Sequence, residues 1–212
     1  MSVPNPSTTP HARRLLGLIT TICLAACGQT PRPPADQAAA IDLPPVVGHF
    51  QRMNVLRRND GNDVTAGYEF GTGPEMVIAT ARVRTAAADS LVPLLSDKHV
   101  ADPSASAQPL QSAVTQVRHF YPNATLSDIR PVYLVKQGAL QGGRAATLRY
   151  EDMLAGQRQK IDLDIYMFCC VDGQRAYEFR IRHAADNDVG RLAVSFMQDL
   201  PWSPASTPDT DK

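Results

Sequence analysis

This chain lacks a surplus of charge of either sign. Its 212 residues carry 21 Lys+Arg and 21 Asp+Glu, which gives a formal net charge of +0 at pH 7. A protein that holds a nucleic-acid backbone needs a concentration of cations, because every phosphate carries a negative charge. The balanced composition therefore argues against nucleic acid as a partner.

Cysteine is also scarce, and the cysteines that are present fall in two places. Cys23 and Cys27 lie near the amino terminus, and Cys169 and Cys170 are adjacent in the second half of the chain. If Cys23 and Cys27 are not available for disulfides, as we expect from their place at the amino terminus, only the adjacent Cys169 and Cys170 remain, and no framework of long-range disulfides can form. The domain must therefore be stabilised by a hydrophobic core, which a chain of this length can build.

Recognisable catalytic motifs are missing as well. No serine lies in a G-x-S-x-G turn, and the histidines beyond residue 26 stand singly, without the spacing of a metal site. Those histidines are His49, His99, His119 and His183. We therefore expect a non-enzymatic protein with no catalytic residue, no metal and no cofactor.

What the chain does have is a signal for export. Arg13 and Arg14 precede an apolar run from Leu15 to Ile22, in the order of the charged and hydrophobic regions of a signal peptide. The run has about half of the ~20 residues that a membrane-spanning helix needs. The residues that follow, Leu24-Ala25-Ala26-Cys27, resemble the lipobox of bacterial lipoproteins.

The resemblance implies a modification and a location. In that family a diacylglycerol is attached to the cysteine thiol, the signal peptide is cut just before the cysteine, and the new amine is usually acylated. Carried over, residues 1–26 are a lipoprotein signal peptide and Cys27 is the lipidated first residue, with fatty acids such as palmitate. Gly28 stands where an aspartate would retain the protein at the inner membrane, which favours the outer membrane, facing the periplasm. The alternative is an ordinary secreted protein with a chance cysteine near the cut.

Residues 27–45 join the lipidated cysteine to a proline-rich tether. Five prolines and few large apolar side chains fall within residues 28–45, a composition typical of an extended spacer. At roughly 3 Å per residue the tether reaches up to about 50 Å from a bilayer surface. A recognition ligand for a partner is the alternative use. At the other end, residues 203–212 are polar, and we expect a disordered tail there.

Residues 46–202 are predicted to form a single α+β domain. Apolar spacing and helix-forming composition predict helices from Ala86 to Leu95, from Leu110 to Tyr121 and from Asp188 to Leu200. Turn signals and apolar stretches predict the strands. These are Phe50–Arg57, Val64–Phe70, Met76–Arg84, Ile129–Lys136, Arg144–Tyr150, Lys160–Cys170 and Arg175–His183, with a turn from Gly138 to Gly143.

This order of elements predicts one antiparallel sheet. An N-terminal three-stranded meander and a C-terminal four-stranded meander would build it, with about three helices packed on it. The order resembles that of PsbP/Mog1-like domains over about residues 46–202, and cystatin-like and NTF2-like sheets are competing folds. The PsbP/Mog1-like resemblance implies a small binding or assembly factor and assigns no site residue.

The last predicted hairpin has two candidate registers. A two-residue Asp172-Gly173 loop places Met167 opposite Glu178, whereas a three-residue loop over residues 171–173 places Met167 opposite Tyr177. Register follows the apolar pattern, so we expect the three-residue loop, which keeps apolar residues together on one face.

The same register assigns a role to two acidic residues in the hairpin. Asp162 and Asp164 would face Arg182 and Arg180 across the strands. Cross-strand ion pairs of this kind contribute up to about 1 kcal/mol to stability. We therefore expect a structural role for these carboxylates and no catalytic one.

Cys169 and Cys170 form the most unusual local feature of the sequence. As a candidate redox pair they would close a strained vicinal disulfide or link a dimer, and as metal ligands they would suit Cu(I) or Zn. Neighbouring residues on a strand point to opposite faces, however, and Cys169 continues an apolar face. We therefore favour a structural role for this pair.

The sequence predicts a lipid-anchored cell-envelope protein with a periplasm-facing binding or assembly domain. Its partners would be the membrane, through the lipid on Cys27, and an envelope protein. Two alternatives stay open. One is a thiol redox or metal-handling protein that uses Cys169 and Cys170, and the other is a carrier of a small hydrophobic ligand.

Overall fold

A computed structural model describes residues 43–58, 62–85, 102–136, 138–171 and 175–201, with the backbone alone at Cys170 and Val171. The described residues all belong to one unit. Its strands are β1 (Val46–Val47), β2 (Phe50–Arg58), β3 (Asp63–Phe70), β4 (Val77–Thr85), β5 (Thr125–Lys136), β6 (Ala139–Leu154), β7 (Gln157–Val171) and β8 (Arg175–Ala184). Its α-helices are α1 (Ala107–Phe120) and α2 (Gly190–Asp199), and short 3₁₀ turns cover Gly73–Glu75 and Pro103–Ser106.

The strands form one antiparallel sheet, as expected for an α+β domain. Within the described residues its order is β1-β2-β3-β4-β8-β7-β6-β5. The two meanders join where β4 pairs with β8, with Ala81 opposite Phe179. The N-terminal meander differs from the prediction, since the two-residue strand β1 adds a fourth strand at its edge.

Helix α2 covers one face of the sheet. The ring of Phe196 lies 4.7 Å from that of Phe50, 5.2 Å from that of Tyr68 and 6.3 Å from that of Phe179, measured between centroids. Leu43 is buried in the same cluster, so the end of the predicted tether packs on the domain. The apolar side of the predicted C-terminal helix, which includes Phe196 and Leu200, therefore faces the core.

Helix α1 covers the other face, over β6 and β7. Its buried residues Leu110, Val114 and Val117 belong to one cluster with Ile165 and Met167. The helix begins at Ala107, three residues before its predicted start. The third expected helix, from Ala86 to Leu95, lies outside the described residues, and none of the described helices is long and apolar enough to span a bilayer.

The predicted turn from Gly138 to Gly143 is wrong in extent. Lys136 already pairs with Ala139, so the chain reverses before residue 139 and Gly143 lies inside β6. A Cβ atom at Gly143 would lie 2.5 Å from the backbone oxygen of Met167 and 2.6 Å from the Phe168 ring. Gly143 therefore allows β6 to approach β7 closely, and it is not part of a turn.

The predicted register of the last hairpin is also wrong. Met167 pairs with Glu178, and Tyr166 pairs with Phe179. The prediction assumed that only one face of the sheet is apolar. Because helices cover both faces, Tyr166 and Phe179 are buried beneath α2 while Met167 is buried beneath α1.

Candidate functional site

The residues singled out in the sequence fall in different places. Cys27 lies outside the described residues. Cys169 is 4% exposed, and its backbone N–H donates to the Ser106 hydroxyl oxygen at 2.9 Å. The side chain of Cys170 lies outside the described part, so the redox pair stays a prediction.

Asp162 and Asp164 form ion pairs, but their partners differ from those predicted. Asp162 accepts two hydrogen bonds of 2.7 Å from Arg149. Asp164 accepts one from Thr147 at 2.5 Å and lies 3.3 Å from Nε2 of His183. The shift in register causes the difference, because it places Arg180 and Arg182 on the opposite face.

His183 resembles a catalytic base only at first sight. Its Nδ1 lies 2.8 Å from the Ala184 carbonyl oxygen, while Nε2 faces Asp164. Burial opposes protonation of the ring, but the hydrogen bonds to Asp164 and to the Ala184 carbonyl outweigh it and raise the pKa of His183. Since both ring nitrogens face acceptors, the protonated form of the ring can donate to both of them, which gives His183 a structural role as a cation.

Replacing His183 by asparagine is expected to lower the free energy of unfolding by about 1–2 kcal/mol at about pH 5.5, because a charge-assisted hydrogen bond is lost. The pKa of His183 is raised above its ordinary 6.5. The stabilisation is therefore complete below the unfolded-state pKa and is lost as the pH rises through the folded-state pKa. Urea unfolding between about pH 5.5 and pH 9 measures it.

The matched control for this substitution is His119→Asn, because His119 is exposed on α1. The difference between wild type and the His183 variant should shrink as the pH rises, while the control stays near zero. A difference that grows with pH would contradict the assignment of His183 as a structural cation.

A cavity of about 480 Å³ lies where α1 ends and β5 begins. Tyr121 stacks on Tyr150 in its wall, with ring centroids 4.1 Å apart. The Tyr121 hydroxyl donates to Asp152 at 2.7 Å, and this bond raises the pKa of Tyr121 to about 12. Two of the cavity's lining cations, Arg149 and Arg158, pair with the acids Asp162 and Glu151, and Lys160 also lines it.

A second cavity, of about 300 Å³, lies between α1 and the sheet. We call it the arginine cleft, and it is lined by Arg82, Arg84, Ser112, Ala113, Gln116 and Glu178. Alternation along β4 places the two arginines on the face opposite Val83. Ser112 and Gln116 lie one turn apart on α1, so both reach the same side.

The arginines in and beside the arginine cleft differ in the hydrogen bonds that they make to acidic residues. Arg82 donates to both oxygens of Asp63, at 2.8 and 2.5 Å, and this bonding lowers the pKa of Asp63. Arg180, which contacts two residues of the cleft, donates to Glu178 at 2.6 Å and to Gln116 at 2.7 Å. Arg84 lies 3.7 Å from Glu178, beyond hydrogen-bond range.

Sequence reasoning overlooked this cleft. The predicted strand Met76–Arg84 contains Arg82 and Arg84 but does not show what they face, and the predicted register of the strand that carries Glu178 is wrong. The available signal was the alternation of arginines along β4 and β8. In the part of the chain that the structure describes, no three His, Cys, Asp or Glu side chains come together as a metal site.

Comparison with known proteins assigns this chain to no family. Neither the protein-family models nor the curated proteins contain a match to this chain.

Proposed function

We propose that this protein is a non-enzymatic, lipid-anchored protein of the bacterial cell envelope. The observation that carries the proposal is Leu24-Ala25-Ala26-Cys27, which follows a charged and an apolar segment. Lipid on Cys27 would hold the domain at the membrane, and Gly28 favours the outer membrane, facing the periplasm. The described domain would then act as a binding or assembly module at the end of its tether.

The chemistry of the described domain supports a binding role. The Asp164–His183 pair engages both ring nitrogens internally, and the arginine cleft offers a cation, Arg84, whose nearest acid lies 3.7 Å away. Burial of Cys169 agrees with a structural thiol, because reactive cysteines need exposure. The proposed PsbP/Mog1-like resemblance is also consistent with a binding module.

Replacing Cys27 by alanine is expected to abolish lipid attachment and to release the protein from membranes. The thiol of Cys27 is the proposed acceptor of the lipid, and alanine offers no atom for the bond. Labelling of cells with a clickable palmitate analogue, followed by membrane fractionation, measures both effects. The expected result is complete loss of label and a shift to the soluble periplasmic or unprocessed fraction.

Cys23→Ala is the matched control for the anchor, because Cys23 lies four residues earlier in the segment that would be removed. This variant should keep both label and membrane location. Wild-type protein that carries no label and fractionates as soluble would overturn the anchor and leave an ordinary secreted protein.

A further inference from the structure

The arginine cleft is open to a small ligand between two regular elements. Ser112 and Gln116 approach from α1, and Arg82 and Arg84 approach from β4, around a volume of about 300 Å³. Both walls belong to elements with buried faces, so the polar groups are held in place before a ligand arrives. Such preorganisation lowers the entropic cost of binding.

Arg84 is the cation that this cleft offers to a ligand. Arg82 uses two of its N–H groups on Asp63, and Arg180 is engaged with Glu178 and Gln116. The Arg84 side chain is 39% exposed, and its closest acid, Glu178, is 3.7 Å away. Its guanidinium therefore keeps N–H donors for an external acceptor.

The charged residues around Arg84 determine which charge a ligand of the arginine cleft should carry. Among the described residues, the ion pairs of Arg82, Arg84 and Arg180 involve two acids, Asp63 and Glu178. Arg58 also lies opposite Asp63, on β2, so positive charge is in excess. Glu178 is 3% exposed, and its buried carboxylate would repel a dianion. A singly charged carboxylate matches both conditions, and arginine binds carboxylates with two parallel hydrogen bonds.

We propose that the arginine cleft is a binding site for a carboxylate group. The Arg84 guanidinium holds the carboxylate, and the Ser112 hydroxyl and the Gln116 amide nitrogen are the further donors. The Gln116 amide oxygen already accepts from Arg180, which orients its nitrogen away from that arginine. This inference rests on the proposed binding role and gives it a ligand class.

The carboxylate can belong to the end of a peptide or to a free small acid. We would titrate the full chain, as purified from cells with or without lipid, with N-acetylglycylglycine, with its C-terminal amide, and with acetate. Amide NMR shifts of Ser112, Ala113 and Gln116 report binding. Saturation by the peptide acid and by acetate alike indicates a free acid site, whereas saturation by the peptide acid alone indicates a chain terminus, and either result supports the proposal.

Two variants test whether Arg84 is the residue that binds the carboxylate. Arg84→Gln is expected to weaken binding of N-acetylglycylglycine at least about tenfold, since it removes a charge-assisted pair. Arg118→Gln is the matched control, because Arg118 is an exposed arginine in the last turn of α1, outside the cleft. It should bind as the wild type does.

Three results would overturn the carboxylate site. They are equal binding of the peptide acid and its amide, unchanged binding in Arg84→Gln, and tighter binding of inorganic phosphate than of the peptide acid. None of them bears on Cys27, so a failed titration leaves the lipid anchor intact. A failed labelling experiment likewise leaves the cleft intact.

Discussion

Replacing Phe196 by alanine is expected to lower the free energy of unfolding by about 4 kcal/mol. The Phe196 side chain is 1% exposed, and its ring touches those of Phe50, Tyr68 and Phe179. Loss of a buried phenyl ring removes its transfer free energy and leaves a cavity, which together cost about 3–5 kcal/mol. Urea unfolding of the full chain, followed by circular dichroism, measures the change.

Val194→Ala is the control for the Phe196 substitution. Val194 lies on the same helix but is 41% exposed, so its truncation should change the free energy of unfolding by less than about 0.5 kcal/mol. A loss below about 1.5 kcal/mol at Phe196 would contradict the packing of α2 on the sheet.

Replacing Gly143 by alanine is expected to cost about 3 kcal/mol, although it adds a single methyl group. That methyl would lie 2.5 Å from the Met167 backbone oxygen and 2.6 Å from the ring of Phe168. Phe168 is 1% exposed, so the ring has no space into which it can turn. Relief therefore requires β6 and β7 to separate, and overpacking of this kind costs about 1–3 kcal/mol or more.

Gly190→Ala is the matched control for the Gly143 substitution. Gly190 begins α2, where the nearest atom to a Cβ is an Asp188 oxygen at 3.4 Å. Alanine is a better helix former than glycine, so this variant should be neutral or slightly more stable. A Gly143 variant as stable as the wild type would contradict the close contact between β6 and β7 at this position.

Much of the secondary structure could be predicted from the sequence because its signals are local. Val77, Ala79 and Ala81 alternate with Ile78, Thr80 and Arg82, and the structure places the first three on the buried face of β4. The stripe that includes Leu192 and Phe196 predicted α2. A period of two or of 3.6 residues is a property of one segment and needs no knowledge of its neighbours.

One turn was overlooked because its signal is weak. Ala155 and Gly156, with φ of 51° and 78°, reverse the chain between β6 and β7. Asparagine or glycine is usual at the first of these positions, because both residues of such a turn need a positive φ. Because alanine is not a typical turn residue at this position, the sequence does not indicate the turn. The predicted strands therefore end at Tyr150 and begin at Lys160, whereas β6 ends at Leu154 and β7 begins at Gln157.

The partners of the acidic residues were decided by tertiary structure. Both registers of the last hairpin satisfy some of the apolar pattern, and only the positions of α1 and α2 show that both faces are buried. In the observed register, Asp162 pairs with Arg149 and Asp164 pairs with His183. The same register also brings Glu178 beneath the arginine cleft.

By itself, the sequence determined the lipobox pattern, the proline-rich segment and the type of most elements, because each depends on residues that are close along the chain. The tertiary structure alone decided the register of β7 on β8, the close contact at Gly143 and the convergence of Arg84 with Gln116. Those features join residues that are far apart in sequence. Which of them meet depends on how the helices cover the two faces of the sheet, and no local pattern encodes that.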